Sequence, residues 1–412
     1  MNISQIKQVL ESLTQEDRSN LMKVFVSYFL VLFTYPLFRA TTTAIYIQTF
    51  GAKATPKVWF LSVVFLSITI TVFNLLQKKF RVQILFLITS IVSVLIFGIS
   101  DFLLQSGFSE LAYVLYIWKE IYIVMVIHMI LGYVNNDLNI DRAKILLGPI
   151  GAMGSIGGIL GGVLTSYWVK SYSTSIVIAI ACVALILNAI FFFSTRILQN
   201  VEEEKKIQKV SPISSLKDVK VYVLLICLVV TLSQFCINIA NLQFNLMFEQ
   251  IVPDVSEKAS YLARLFSAIN VVTLIVQLII IPPLFAKSKM KTIHLFIPVF
   301  YMFLSFIGLG LGGGLLISVA GTFVLFKGLD YSLFSSSKEL LYYSLSPLQK
   351  FGAKYLSDMV VYRLAKALIS ILLIYVQDLM ILNVLIFIFL LGWIFSVFKI
   401  FKNNSEEAGV NS

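Results

Sequence analysis

Charge is what this chain has least of. Asp, Glu, Lys and Arg make up 13% of its 412 residues, where a soluble domain carries about 25%. Histidine is nearly absent. His128 and His294 stand alone, without a second ligand at metal-site spacing, which argues against a metal centre. The three cysteines, Cys182, Cys227 and Cys236, all sit in apolar runs. Their odd number and spacing suit neither a disulfide framework nor a metal knuckle, so they are expected to pack. A Walker A sequence is missing, which excludes an intrinsic ATPase of that type, and no nucleophile–base arrangement stands out. Gly308, Gly310 and Gly313 match GxGxxG by letter only. Without a strand–helix–strand context they predict a glycine-rich turn. The expectation is a protein that is not an enzyme, with no cofactor, no nucleic-acid partner and no obligate protein partner.

The first twenty residues have no apolar core and no small-residue cleavage site, so they do not read as a signal peptide. Ile3, Ile6, Val9, Leu10 and Leu13 share one face there and predict a short interfacial helix.

What the chain has in abundance is apolar length. It is 58% hydrophobic, with a mean hydropathy of +0.91. Runs of about 20 apolar residues, each long enough to cross some 30 Å of hydrocarbon, recur from end to end. They predict an all-α polytopic membrane protein with twelve spans, at 22–48, 57–77, 82–104, 111–133, 145–169, 174–196, 220–247, 260–285, 292–310, 314–337, 352–376 and 379–400. The spans alternate basic loops such as QKKFR (77–81) and AKSKMK (286–291) with loops poor in Lys and Arg. The bias is roughly fourfold and places both termini in the cytoplasm. Without a targeting sequence, a bacterial inner membrane is the expected location.

The one long charged interior segment, 196–220, divides the spans six and six. The expected domains are 1–200, a cytoplasmic linker 201–217, and 218–412. The basic turns after the second and eighth spans occupy matching places, as do WKE (118–120) and SKE (337–339). Two such halves around a charged middle loop resemble the parallel repeats of major facilitator transporters, whose substrate sites lie near mid-membrane.

Charges also lie inside the spans. The cations are Arg39, Lys119, Lys327, Lys338, Arg363 and Lys366, with Lys23 near the inner surface; the acids are Glu120, Asp330, Glu339 and Asp358. A charge at the bilayer centre costs roughly 2.5–3.5 kcal/mol on insertion scales, so such residues face a cavity or a partner. Cations exceed acids, and an anionic substrate is the simplest explanation. Lys327 and Asp330, three apart, read better as an internal ion pair. Lys119 and Glu120 are adjacent, about 100° apart on a helix, which predicts that at least one points to a cavity. Glu339 is expected to pair with a cation of the other half and gate the path. In the eleventh span Tyr355, Asp358, Tyr362 and Lys366 fall on one helical face flanked by Arg363. Such a stripe suits an aromatic base with its phosphates, or else a polar helix–helix seam. Asn238, Asn241, Gln243 and Asn245 suit a nucleobase or another helix equally. The glycines of GPIGAMGSIGGILGG (148–162) read as close helix packing.

The stretch SLFSSSKELLYYSLSPLQKFGAKYLSDMVVYRLAKA (332–367) resembles the signature of the nucleotide translocases, the ATP/ADP exchangers of plastids and intracellular bacteria. The matching residues are Ser332, Leu333, Phe334, Lys338, Glu339, Tyr342, Leu345, Lys350, Lys354, Asp358, Arg363 and Lys366. YIWKEIYIVMVIHMILGYVNNDLNIDRAK, with Glu120, Asn135, Ala143 and Lys144, and YPLFRATTTAIYIQTFGAKATPKVW, with Tyr35, Arg39, Gly51, Ala52, Pro56 and Lys57, are similar to two further family segments. Thr42 and Thr43 stand where the family usually has Lys-Asp, Lys53 where it has an acid, and Tyr355 where it has Ala. The resemblance implies ATP/ADP exchange or transport of another nucleotide or phosphorylated anion. Arg39, Lys119, Lys338, Tyr342, Lys354, Tyr362, Arg363 and Lys366 would bind substrate; Glu120, Glu339 and Asp358 would gate or couple. A proton- or cation-coupled symporter of a smaller anion, and a non-transporting scaffold or receptor, remain the alternatives.

Overall fold

A computed structural model describes residue 11 and residues 13–137, 140–196 and 214–407. The expected interfacial helix at the N-terminus and most of the linker fall outside the described residues. Twelve helical spans follow one another, and the described residues contain no strand. They are α1 (Gln15–Phe50), α2 (Thr55–Leu76), α3 (Val82–Gln105), α4 (Leu111–Asp137), α5 (Ile140–Ser171) and α6 (Thr174–Phe193), then α7 (Lys220–Ile251), α8 (Val255–Lys287), α9 (Met290–Leu311), α10 (Leu316–Ser344), α11 (347–375) and α12 (Leu379–Glu407).

Polar residues at the helix ends explain why nearly continuous apolar sequence breaks where it does. Thr14 caps α1, its hydroxyl accepting from the Asp17 amide at 3.1 Å, and Glu16 and Asp17 place negative charge on the first turn. Ser173 caps α6, Asp254 precedes α8 and accepts from the Ser256 and Glu257 amides, and Asp378 caps α12. Ser346 and Gln349 form a reciprocal capping box with Pro347 at the first turn of α11. Gly51 ends α1 at φ 81°, a conformation L side chains rarely adopt. Along the helices, hydroxyls such as Thr34, Thr41 and Ser62 bond back to carbonyls three or four residues earlier, which satisfies them without water.

Eleven of these helices are long and apolar enough to cross a membrane. Large apolar side chains on their outer faces are exposed at helical spacing, as with Phe65, Ile68, Val72 and Leu75 on α2. That is the face of a protein solvated by lipid, and the chain is an integral, multi-pass membrane protein. The exception is α11. Lys350, Lys354, Asp358, Arg363 and Lys366 leave it no stretch of spanning length with few charges.

The helices form two compact units that are not contiguous in sequence. The first comprises Met1–Gly51, Val64–Gln199 and Val252–Leu274; the second comprises Ala52–Val63, Asn200–Ile251 and Ile275–Ser412. In the first unit α1 packs chiefly on α5, α6 and α4. Its centre holds Phe38 stacked on Phe97, ring centroids 3.9 Å apart, with Tyr122 edge-on to both. The glycines of α5 allow close approach. A β-carbon on Gly157 or Gly161 would strike the carbonyls of Phe29 or Phe33 on α1, and one on Gly162 would lie 2.7 Å from the Ala263 carbonyl on α8. In the second unit α7 packs on α12, α11 and α10. Tyr301 stacks on Phe326 at 4.0 Å, and Trp393 stands edge-on to Tyr301 and Phe334.

Four π turns, each one residue wider than an α turn, interrupt helices of the second unit at Val276–Ile280, Ser305–Leu311, Asp330–Phe334 and Tyr355–Val361. Gly308 therefore lies within helical structure, not in a simple turn as its letters suggested. Only the Gly312–Gly314 segment turns toward α10.

Candidate functional site

The charged residues at membrane depth in the second unit lie on α10 and α11, which run antiparallel. Three rungs join them. Lys338 Nζ meets Asp358 Oδ1 at 2.5 Å, and Lys354 Nζ meets Glu339 Oε2 at 2.5 Å. Beside these pairs the Tyr342 hydroxyl donates to Ser357 Oγ at 2.8 Å, and Ser357 donates to Asp358 Oδ1 at 3.0 Å. Tyr342 and Ser357 are fully buried. Lys338 is better enclosed than Lys354: its side chain is 13% exposed against 38%. A low-dielectric setting strengthens the Lys338–Asp358 contact relative to the outer pair.

Glu339 was expected to reach a cation of the other half. The structure pairs it instead with Lys354 of the same half, because antiparallel packing sets residue 339 opposite residue 354. Lys327 and Asp330 do form the expected i,i+3 contact, at 3.9 Å, at the start of a π turn.

Arg363 differs from the lysines. It is half-buried, and among the described residues its polar contact is the Met359 thioether at 3.8 Å. Among the described residues no carboxylate pairs with it. The single-face stripe expected from 3.6-residue periodicity is altered by the π turn at Tyr355–Val361, which falls between Tyr355 and Tyr362. Tyr355 is exposed, whereas Asp358, Tyr362, Arg363 and Lys366 are half-buried.

In the first unit Lys119 Nζ pairs with Glu120 Oε1 at 2.8 Å and lies 3.4 Å from the Tyr116 ring centroid. Adjacent residues were expected to point apart. Their long side chains reach back to each other, and the ring face one turn away lies against the cation. Lys119 is thereby 1% exposed and closed off in this conformation, while Glu120 is 21% exposed. Arg39 lies over the rings of Phe266 and Tyr35, at 3.9 and 5.4 Å. Thr42 and Thr43 are buried, and Thr42 bonds to the Phe38 carbonyl at 2.7 Å. The position that departs from the translocase pattern is thus packed and internally satisfied.

Glu120, Asp330, Asp358 and Glu339 are taken up by Lys119, Lys327, Lys338 and Lys354, whereas the buried Asp101 of α3 accepts from Gln105 and Ser175. Arg363 adds cationic charge beyond those pairs. Of the polar residues of α7, Gln243 donates to Asn383 of α12 at 3.0 Å, and Asn238 bonds to the Gln234 carbonyl. Gln243 and Asn383 border a cavity of about 350 Å³ with Leu309 and Gly313. His294 is buried against the Ser337 carbonyl, a packing contact.

Reasoning from sequence missed a second charged cluster at one end of the first unit. Arg196 meets Asp137 at 2.6 Å and Asp17 at 2.9 Å. Asn20 donates to Asp137 and accepts from the Tyr133 hydroxyl and the Arg196 amide. The hydrogen bond to Asp137 leads in pushing the Arg196 guanidinium above its ordinary range. Arg196 opens a charged linker, which hid it among solvated charges.

No known protein-family profile matches the chain. No curated protein matches it at a significant level. Solved structures do. A mutant of the nucleoside transporter NupG is 13% identical, with 93% of this chain and 99% of that chain covered and a TM-score of 0.67. A D-xylose-proton symporter is 12% identical, with 92% and 96% covered and a TM-score of 0.65. A bacterial homologue of the iron transporter ferroportin, in its inward-facing state, is 9% identical, with 93% and 98% covered and a TM-score of 0.66. The fold is major-facilitator-like, as the paired halves of the sequence led one to expect.

Proposed function

We propose that the protein is a secondary transporter of phosphorylated anions, with nucleotides as its substrates and ATP/ADP exchange as its reaction. The observation that carries this reading is Arg363, a half-buried guanidinium with no carboxylate partner among the described residues, on a helix that also presents Lys354 and Lys366. A guanidinium fork binds phosphate oxygens bidentately, and lysines add point charge. Arg39, Tyr342, Tyr362 and the presently enclosed Lys119 complete the proposed substrate contacts. NupG carries nucleosides by its own description, which agrees with a nucleobase-sized substrate.

The ion pairs suggest how binding is coupled to movement. Asp358 and Glu339 neutralise Lys338 and Lys354. An arriving phosphate competes with each carboxylate for its lysine, and the released carboxylate repels the anion when the site reopens. Glu120 acts likewise on Lys119. Alternating access then proceeds between the halves 1–200 and 218–412, with the linker and both termini cytoplasmic, as the basic loops suggest. The second reading, proton-coupled symport of a smaller anion, draws on the same pairs: protonating Asp358 would also release Lys338.

Uptake of α-labelled ATP into proteoliposomes, with and without trapped ADP, tests the proposal. Uptake that requires internal ADP supports exchange. Uptake driven by a proton gradient and indifferent to internal nucleotide refutes it in favour of symport.

A further inference from the structure

We infer that the end of the α5–α8 pair away from the basic loops holds the phosphate of an anionic phospholipid. Helices α5 and α8 run antiparallel in the first unit, with contacts in reverse order. Gly158 faces Asn270, Gly162 faces Ala263 and Ser267, and Ser166 Oγ lies 2.9 Å from Ser260 Oγ. The glycines draw the helices together. Around Ser166 and Ser260 a cavity of about 350 Å³ opens between the two helices. Lys170 and Arg264 line it, together with the Ser166, Ser171 and Ser260 hydroxyls and Tyr167.

Two cations therefore share one small cavity. Among the described residues neither Lys170 nor Arg264 has a carboxylate partner; Arg264 lies 5.9 Å from the Tyr261 ring. Hydroxyl donors beside paired cations suit a phosphate ester. Lys170 is one residue from the end of α5, whereas Arg264 lies nine residues, about 14 Å, into α8, so the cavity runs inward from headgroup level along the two helices. Tyr167 and Tyr172 are exposed there, as aromatic residues at membrane interfaces are.

The surroundings choose a lipid over a free anion. From Tyr167 inward, Val163, Leu160 and Ile156 form an exposed apolar stripe on α5 at steps of three and four residues. From Arg264 inward, Ala268 and Val271 do the same on α8. A charged head with two adjoining apolar tracks matches an amphiphile. A soluble phosphate would leave the tracks unused. The site is separate from the charged residues of α10 and α11, and its occupancy can be measured without transport.

The test is native mass spectrometry of the full chain released from nanodiscs containing phosphatidylglycerol and phosphatidylcholine. The wild type is expected to retain one phosphatidylglycerol, with a preference of about thirtyfold, as two basic residues near an anionic lipid would give. Lys170→Gln combined with Arg264→Gln should bring the preference close to unity. Lys170→Arg combined with Arg264→Lys should keep it. Equal retention by the glutamine variant overturns the proposal. So does wild type in detergent binding inorganic phosphate or glycerol 3-phosphate as tightly as the lipid, which would assign the cavity to a soluble anion. Should the glutamine variant fail to fold, wild-type preference decides alone, and no preference for phosphatidylglycerol overturns the inference.

Discussion

If phosphate competes with Asp358 for Lys338, removing the carboxylate must tighten anion binding. Asp358→Asn keeps the side chain's shape and its bond from Ser357 while cancelling the charge that faces Lys338 at 2.5 Å. A hydrogen bond to a charged group contributes about 1.5–3 kcal/mol. Lys338 is 13% exposed but Asp358 is 34% exposed, so solvent screening favours the lower end, about 1.5 kcal/mol, or roughly tenfold in affinity. Glu339→Gln removes the partner of Lys354 in a pair with both members near 40% exposed, and exposed pairs contribute about 1 kcal/mol or less. Its affinity gain should stay below about fivefold. Calorimetric titration of each purified variant with ATP measures both. Turnover in proteoliposomes should fall for Asp358→Asn, because no carboxylate displaces the bound phosphate. Unchanged or weaker ATP binding by Asp358→Asn would refute the competition, as would a larger gain for Glu339→Gln.

Three further outcomes follow from the geometry. Arg363→Gln should abolish nucleotide uptake while leaving the protein folded, and Arg363→Lys should restore only part of it, because a point charge cannot replace the fork; full activity of Arg363→Gln in the proteoliposome assay would remove the residue from the site. Gly162→Ala drives a β-carbon against Ser267 and the Ala263 carbonyl and should destabilise by about 1–3 kcal/mol. Gly151→Ala meets nothing within 4 Å and should be neutral or slightly stabilising; thermal-melt comparison in detergent separates the two. Asp137→Asn should lower the melting temperature more than Asp17→Asn, because Asp137 is 8% exposed and takes the closer contact from Arg196, while Asp17 is 19% exposed.

The sequence by itself determined the class and the span count. Apolar length against bilayer thickness is a local property; the start of the first helix at Gln15, seven residues before the expected 22, showed only in the structure, where Thr14 caps it. The sequence also named Lys338, Glu339, Asp358 and Arg363, because charge in apolar surroundings is conspicuous in one dimension, while Lys354 was named through the family resemblance. Partner choice between helices was not legible, although the i,i+3 pair of Lys327 and Asp330 was. Glu339 meets Lys354 because α10 and α11 run antiparallel in one register, and no spacing along the chain reports that register. The burial of Lys119 depended on the Tyr116 ring folding over it. The tyrosine stripe of α11 assumed 3.6 residues per turn, and the π turn at Tyr355–Val361 breaks that period. The clusters around Arg196 and around Lys170 with Arg264 gather charges from distant segments that look ordinary in sequence. Helix propensity and hydropathy act over a few neighbouring residues, whereas an ion pair or a headgroup site needs two helices at a set distance, and only tertiary packing sets it.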